Sequence, residues 1–120
     1  MMTSHVAPIP IACNLNALTA DERARRAALA HRLRVATQAV IETETGYTLR
    51  LPEEPSAYHE ALELALLERR CCPFLRLEII LEPGRGPVWL TLGGSPGVKA
   101  FLAASGLVRG MGAEAPPCCS

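Results

Sequence analysis

The chain has 120 residues, of which 49% are hydrophobic, and its 12 basic and 12 acidic side chains cancel. That size allows one domain with a real core and argues against global disorder. Electroneutrality excludes the basic face of a nucleic-acid binder and the polybasic patch of a membrane-surface protein. No apolar run approaches the roughly 20 residues of a membrane-spanning helix. The opening MMTSHVAPIPIACNLN has no basic n-region and no apolar run of the signal-peptide kind, so the expected compartment is the cytoplasm.

Residues 1–18 read as an irregular segment, because Pro8 and Pro10 block a helix, although Ile9, Ile11 and Leu15 can dock on a core. The stretch TADE is a capping box: Thr19 is the N-cap and Glu22 follows three residues later. The helix that it opens is expected to turn Ala24, Ala27, Ala28, Leu29 and Leu33 inward. Val40, Ile41 and Thr43, a turn near Thr45-Gly46, and the alternating Tyr47, Leu49 and Leu51 predict a β-hairpin. PEEP ends it at Pro52–Pro55, and Ser56 is the expected N-cap of a second helix. That helix aligns Leu64, Leu67 and Cys71 on one stripe, widened by Tyr58, Leu62, Ala65 and Leu66.

Pro73 stops the second helix. A second hairpin follows, with Leu75, Leu77, Ile79 and Leu81 on one face, the turn GRGP, and then Val88, Leu90 and Leu92. Ser95-Pro96 predicts the start of a last helix carrying Val98, Phe101 and Leu102. The order is therefore α-β-β-α-β-β-α. It implies an α+β fold of two layers, a four-stranded antiparallel sheet built from two hairpins with helices on one face. Residues 19–105 form the domain, and the Gly- and Pro-rich residues 106–120 form a flexible tail. Ile80 is expected on the outer face of the sheet, where it leaves open a homodimer between two such faces.

The chemistry lies in five cysteines: Cys13, the adjacent pair Cys71-Cys72, and a second pair at Cys118-Cys119. In a reducing compartment such residues are ligands, nucleophiles or buried apolar groups more often than disulfides. Thiolates are soft donors that select Hg(II), Cu(I) or Zn(II) over Mg(II) and Ca(II). Adjacent helical residues point about 100° apart. One cysteine of the 71–72 pair is thus expected to face the core or the Cys13 segment and the other the surface, unless Pro73 reorients Cys72 so that both converge. Should Cys13 dock there, three thiols would suit Hg(II), As(III) or, with a further ligand, Zn(II). Arg69, Arg70 and Arg76 can offset the negative helix end, although arginines there more often cap free carbonyls. The pair Cys118-Cys119, on a tether, can capture an ion and pass it to the domain.

His59, too far upstream to join the cysteines, is expected to be a polar residue near the start of the second helix, and His31 to be solvated, as are the carboxylates of PEEP and ETE. His5 lies in the N-terminal segment. Trp89 is expected in the core or on the sheet surface. There is no CxxC, P-loop, dinucleotide fingerprint or catalytic triad spacing, so no cofactor is required.

The stretches ACNLNALTADERARR, GYTLRLP, ALLERRCCPFLRLEI and GPVWLTLGGSPGVKAFL, spanning about residues 11–103, resemble a small bacterial family whose hallmark is ERRCCPF. The matching positions are Cys13, Cys71, Cys72, Pro73 and Phe74. The resemblance implies a companion of heavy-metal resistance systems, with other resistance proteins as partners, and implies no catalytic activity. The terminal cysteine pair is similar to the tail of mercuric reductases, which delivers Hg(II) to a buried site, but this chain lacks their flavin-binding fingerprint. The expected function is binding of a thiophilic ion without catalysis, through Cys13, Cys71, Cys72, Cys118 and Cys119. Two alternatives are a thiol-dependent redox or organometal-cleaving enzyme, which needs a thiol of lowered pKa, and a small interaction module, in which the 71–72 pair is buried away from Cys13.

Overall fold

A computed structural model describes residues 9–105. Three helices and four strands follow in the expected order: α1 (Ala20–Ala36), β1 (Ala39–Glu42), β2 (Gly46–Arg50), α2 (Pro55–Cys71), β3 (Arg76–Leu81), β4 (Val88–Gly93) and α3 (Val98–Ser105). The sheet is antiparallel throughout in the order β1-β2-β4-β3, so β2 and β4 join the two hairpins at its centre. This is the two-layer α+β fold expected from the alternation. The assigned tail, residues 106–120, and His5 lie outside the described residues.

Alternation sets the two faces. Opposed residues in an antiparallel pair point the same way, so Leu49 and Leu90 meet on the inner face, as do Tyr47 and Leu92. Leu49, Leu90 and Leu92 are almost fully buried, together with Leu29, Leu64, Val98 and Leu102 from the helices. On the outer face the Thr48 and Thr91 hydroxyls lie 3.0 Å apart, and the Arg50 guanidinium stands 5.9 Å from the Trp89 ring centroid. Ile80 opposes Trp89 there and is exposed, as expected. The pairing of β2 with β4 is close: a Cβ on Gly46 would collide with the backbone of Leu92 and Gly93. Among the described residues no helix is long and apolar enough to cross a membrane.

Several expectations change at the helices. The capping box forms as expected: Glu22 N donates to Thr19 Oγ1 at 3.1 Å and Thr19 N donates to Glu22 Oε1 at 2.9 Å. Ala24, Ala27 and Ala28, however, are exposed, and the inner stripe of α1 is Arg26, Leu29, Ala30, Leu33 and Arg34. The alanines are small enough to leave in water at little cost, whereas the arginines turn inward, with both Nε atoms buried and Arg26 paired to Glu68. On α2 the stripe Leu64, Leu67 and Cys71 is buried as expected, but Leu62 and Leu66 are half exposed. They border a groove with Arg69, Leu77 and Ile79 beside the edge strand β3. Leu81, at the end of that strand, is exposed, although its opposite number Val88 is buried.

Helix starts also move. Glu54 is the N-cap of α2 and Pro55 occupies its first turn, displacing Ser56 from the expected role. In α3 the first helical residue is Val98, because Gly97 adopts φ +99° and Val98 N donates to Ser95 O at 3.0 Å. His31 and His59 are exposed, and the PEEP glutamates are solvated, but Glu42 of ETE pairs with Lys99 at 2.6 Å.

Candidate metal centre

The site forms where three segments meet. Cys71 is the last residue of α2. Cys72 is its C-cap, with φ −129° and ψ 68°, outside helical space because Pro73 follows. This turn undoes the 100° divergence: the Cys71 and Cys72 sulfurs lie 3.5 Å apart. Pro73 thus makes the pair converge. Both cysteines are buried, at 0% and 1% exposure, so neither faces the surface. Phe74 packs behind them, edge to face with Phe101 at 4.9 Å between centroids.

The Cys13 segment docks at this helix end. Asn14 N donates to Cys71 O at 2.7 Å, satisfying one of the carbonyls that a helix terminus leaves free. Cys13 and Cys72 are joined by a disulfide across 59 residues, with Cα atoms 4.5 Å apart. This corrects the expectation that the cysteines are unpaired. The cause is proximity: docking brings two thiols within bonding range, a distance that sequence separation conceals. The interaction-module alternative placed the pair away from Cys13, and this geometry contradicts that. Cys71 is the free cysteine among the described residues. Cys118 and Cys119 lie outside them.

The arginines next to the pair act differently from expectation. Arg70 does not cap its own helix. It donates to Glu22 Oε2 at 2.7 Å and to Ala17 O at 3.0 Å, tying α2 to the start of α1 and to the short turn Leu15–Ala17. Arg76 is exposed, 3.7 Å from Glu78. The guanidinium that reaches the thiols comes from α1: Arg26 pairs with Glu68 at 3.0 Å, and Glu68 Oε1 stands 4.0 Å from Cys71 Sγ.

Glu68 is 3% exposed and was not singled out from the sequence. A signal existed, since it follows Leu64 by four residues and precedes Cys71 by three, on the same helical face. One donor atom each from Glu68, Cys71 and Cys72 lies within 4.8 Å of the others, an arrangement compatible with metal binding. Burial raises the pKa of Glu68, and Arg26 opposes the rise. Burial also raises the pKa of Cys71, and the Glu68 charge raises it further. Cys71 is therefore a neutral thiol at physiological pH, without the lowered pKa that a redox or organometal-cleaving nucleophile requires.

Beside the disulfide lies a cavity of about 210 Å³, bordered by Cys13, Cys72, Arg26, Arg34, Glu68 and Phe101. It lies directly beside the sulfurs. The disulfide occupies two of the three sulfurs, and a disulfide sulfur is not a thiolate ligand, so metal chemistry here needs the bond opened. No family model, curated protein or solved structure matches the chain.

Proposed function

We propose that the protein binds a thiophilic ion, Hg(II) or a relative such as As(III) or Cu(I), in a site built from Cys71, Cys72 and Cys13, for sequestration or transfer in metal resistance. The observation that carries this is the convergence of the Cys71 and Cys72 sulfurs, 3.5 Å apart, at the point where Cys13 docks. Opening the disulfide supplies three thiols around one position. Each coordinating thiol gives up its proton, so binding is ligand exchange and no covalent bond of a substrate is broken. Glu68, next to Cys71, is placed to accept that proton. The cytoplasm, where free thiols are kept reduced, suits this three-thiol form. Cys118 and Cys119 act as the capturing pair that delivers the ion, and resistance proteins are the partners that the resemblance implies.

Hg(II), Cu(I) and As(III) are favoured over Zn(II) because the domain supplies three sulfurs, whereas structural Zn(II) takes four ligands. Zinc would need Glu68 as a fourth ligand, and Arg26 already holds that carboxylate. Titration of the reduced protein with Hg(II), Cu(I), As(III) and Zn(II), in a Cys118→Ser/Cys119→Ser background, tests the proposal. Adding Cys71→Ser and Cys72→Ser together should abolish the tightest Hg(II) event. Unchanged affinity in that variant contradicts the proposal.

A further inference from the structure

We propose that the cavity beside the Cys13–Cys72 disulfide is a docking site for a small thiol bearing a carboxylate, which opens the disulfide and so arms the metal site. This rests on the reading that Cys13 and Cys72 work as free thiols. The cavity wall carries two guanidiniums, Arg26 and Arg34, against one carboxylate, Glu68, an excess of one positive charge. Arg26 is committed to Glu68, whereas Arg34 enters no ion pair among the described residues. The Nε atoms of both arginines are buried without a hydrogen-bond partner among the described residues. Arg34 lines the cavity with no carboxylate of its own among the described residues, so its positive charge is open to a bound anion. The planar fork of a guanidinium matches a carboxylate, and the bond is charge-assisted. About 210 Å³ is ample for a thiol of a few heavy atoms, since one water takes about 30 Å³ of liquid.

The disulfide is asymmetric in the way this exchange needs. Cys13 is exposed on an irregular segment, and Cys72 is buried. An incoming thiolate therefore attacks Cys13 Sγ. The sulfur–sulfur bond breaks, its electron pair leaves on Cys72 Sγ, and a mixed disulfide forms between Cys13 and the small thiol. A second small thiolate attacks the outer sulfur of that mixed disulfide and releases Cys13 as a thiolate. Two small thiols are oxidised to one disulfide, the protein disulfide gains two electrons, and Cys13 and Cys72 take up the two protons.

The test uses oxidised full-length protein carrying Cys118→Ser/Cys119→Ser, so that the tail thiols do not compete. Opening is followed by alkylation and mass spectrometry with 3-mercaptopropionate, 2-mercaptoethanol and cysteamine, each rate divided by its thiolate concentration. The expected result is saturation by 3-mercaptopropionate and a rate about tenfold above the neutral thiol, the gain from one charge-assisted hydrogen bond. Cysteamine should be slowest. Arg34→Gln should remove the advantage and leave the 2-mercaptoethanol rate unchanged. Equal rates for the anionic and neutral thiols, or an advantage that survives Arg34→Gln, would overturn the proposal. Should Arg34→Gln also speed the neutral thiol, propionate as a competitor against the parent protein decides. Selective slowing of 3-mercaptopropionate supports docking, and no slowing rejects it. Hg(II) binding by chemically reduced protein is measured separately, so failure of thiol docking and failure of metal binding give different results.

Discussion

At the scale of single residues, the site depends on a buried carboxylate and a buried thiol, and burial raises the pKa of both. Cys71 is held neutral first by burial and then by the Glu68 charge 4.0 Å away. Glu68→Gln removes the second cause and leaves Arg26 facing the thiol, so the pH midpoint of Cys71 alkylation by iodoacetamide should fall. A midpoint that stays or rises would contradict this. Because the thiol keeps its proton past the usual range, metal affinity should keep climbing with pH through neutrality, as each bound ion displaces protons. Cys71 and Cys72 were legible as candidates from adjacency and from the proline after them. Their bond to Cys13 was not, because contact across 59 residues is a tertiary fact that no local pattern records. Glu68 was legible in principle from its place between Leu64 and Cys71, but charge disguised its inward position.

Among the elements, the capping box of α1 does more than start a helix. Glu22 accepts from the Arg70 guanidinium and also from Thr19 N, which together hold its carboxyl down at about 2, against an ordinary 4.5. A depressed carboxyl stabilises the fold fully above its unfolded pKa, and the benefit is lost as pH falls from about 4.5 through 2. Urea midpoints measured from pH 5 down to pH 2 should therefore fall less steeply in Glu22→Gln than in the parent. Parallel curves would contradict the assignment. Thr19→Ala should cost about 1 kcal/mol by the same measurement at pH 7. The box was read directly from TADE because it is a local motif. Ser56 is not the cap, because Pro55 suits the first helical position, which makes Glu54 the cap. The inner face of α1 differs from the apolar pattern for another reason: alanine is apolar but small, and packing selects the arginines for their reach to Glu68 and the cavity.

Over the whole molecule, the disulfide fastens the N-terminal segment to the end of α2 and closes a loop of about 60 residues. On chain entropy alone such a link is worth about 4 kcal/mol, an upper figure if the unfolded chain keeps structure. Reduction, or Cys13→Ser, should lower the urea midpoint by a corresponding amount, and reductant should then have no further effect on the variant. A midpoint indifferent to reductant would show that the link is absent or carries no stability. The central strands need no link: Leu90→Ala, at 1% exposure, should cost about 2–5 kcal/mol. Fold class was legible because alternation in β2 and β4 is strict and each hairpin has its turn residues. Strand order was less so, since two hairpins can join edge to edge in several ways, and the close approach at Gly46 and Gly93 selects β2 against β4.

Stability and metal chemistry thus draw on the same sulfurs, and reduction exchanges a staple for a ligand set. X-ray absorption at the mercury edge tests that claim most directly, on reduced Cys118→Ser/Cys119→Ser protein loaded with one equivalent of Hg(II). The account predicts a first shell of sulfur alone, reduced to at most one protein sulfur, that of Cys13, when Cys71 and Cys72 are both serine. A shell of nitrogen or oxygen ligands, or an unchanged sulfur shell in the double serine variant, would contradict it.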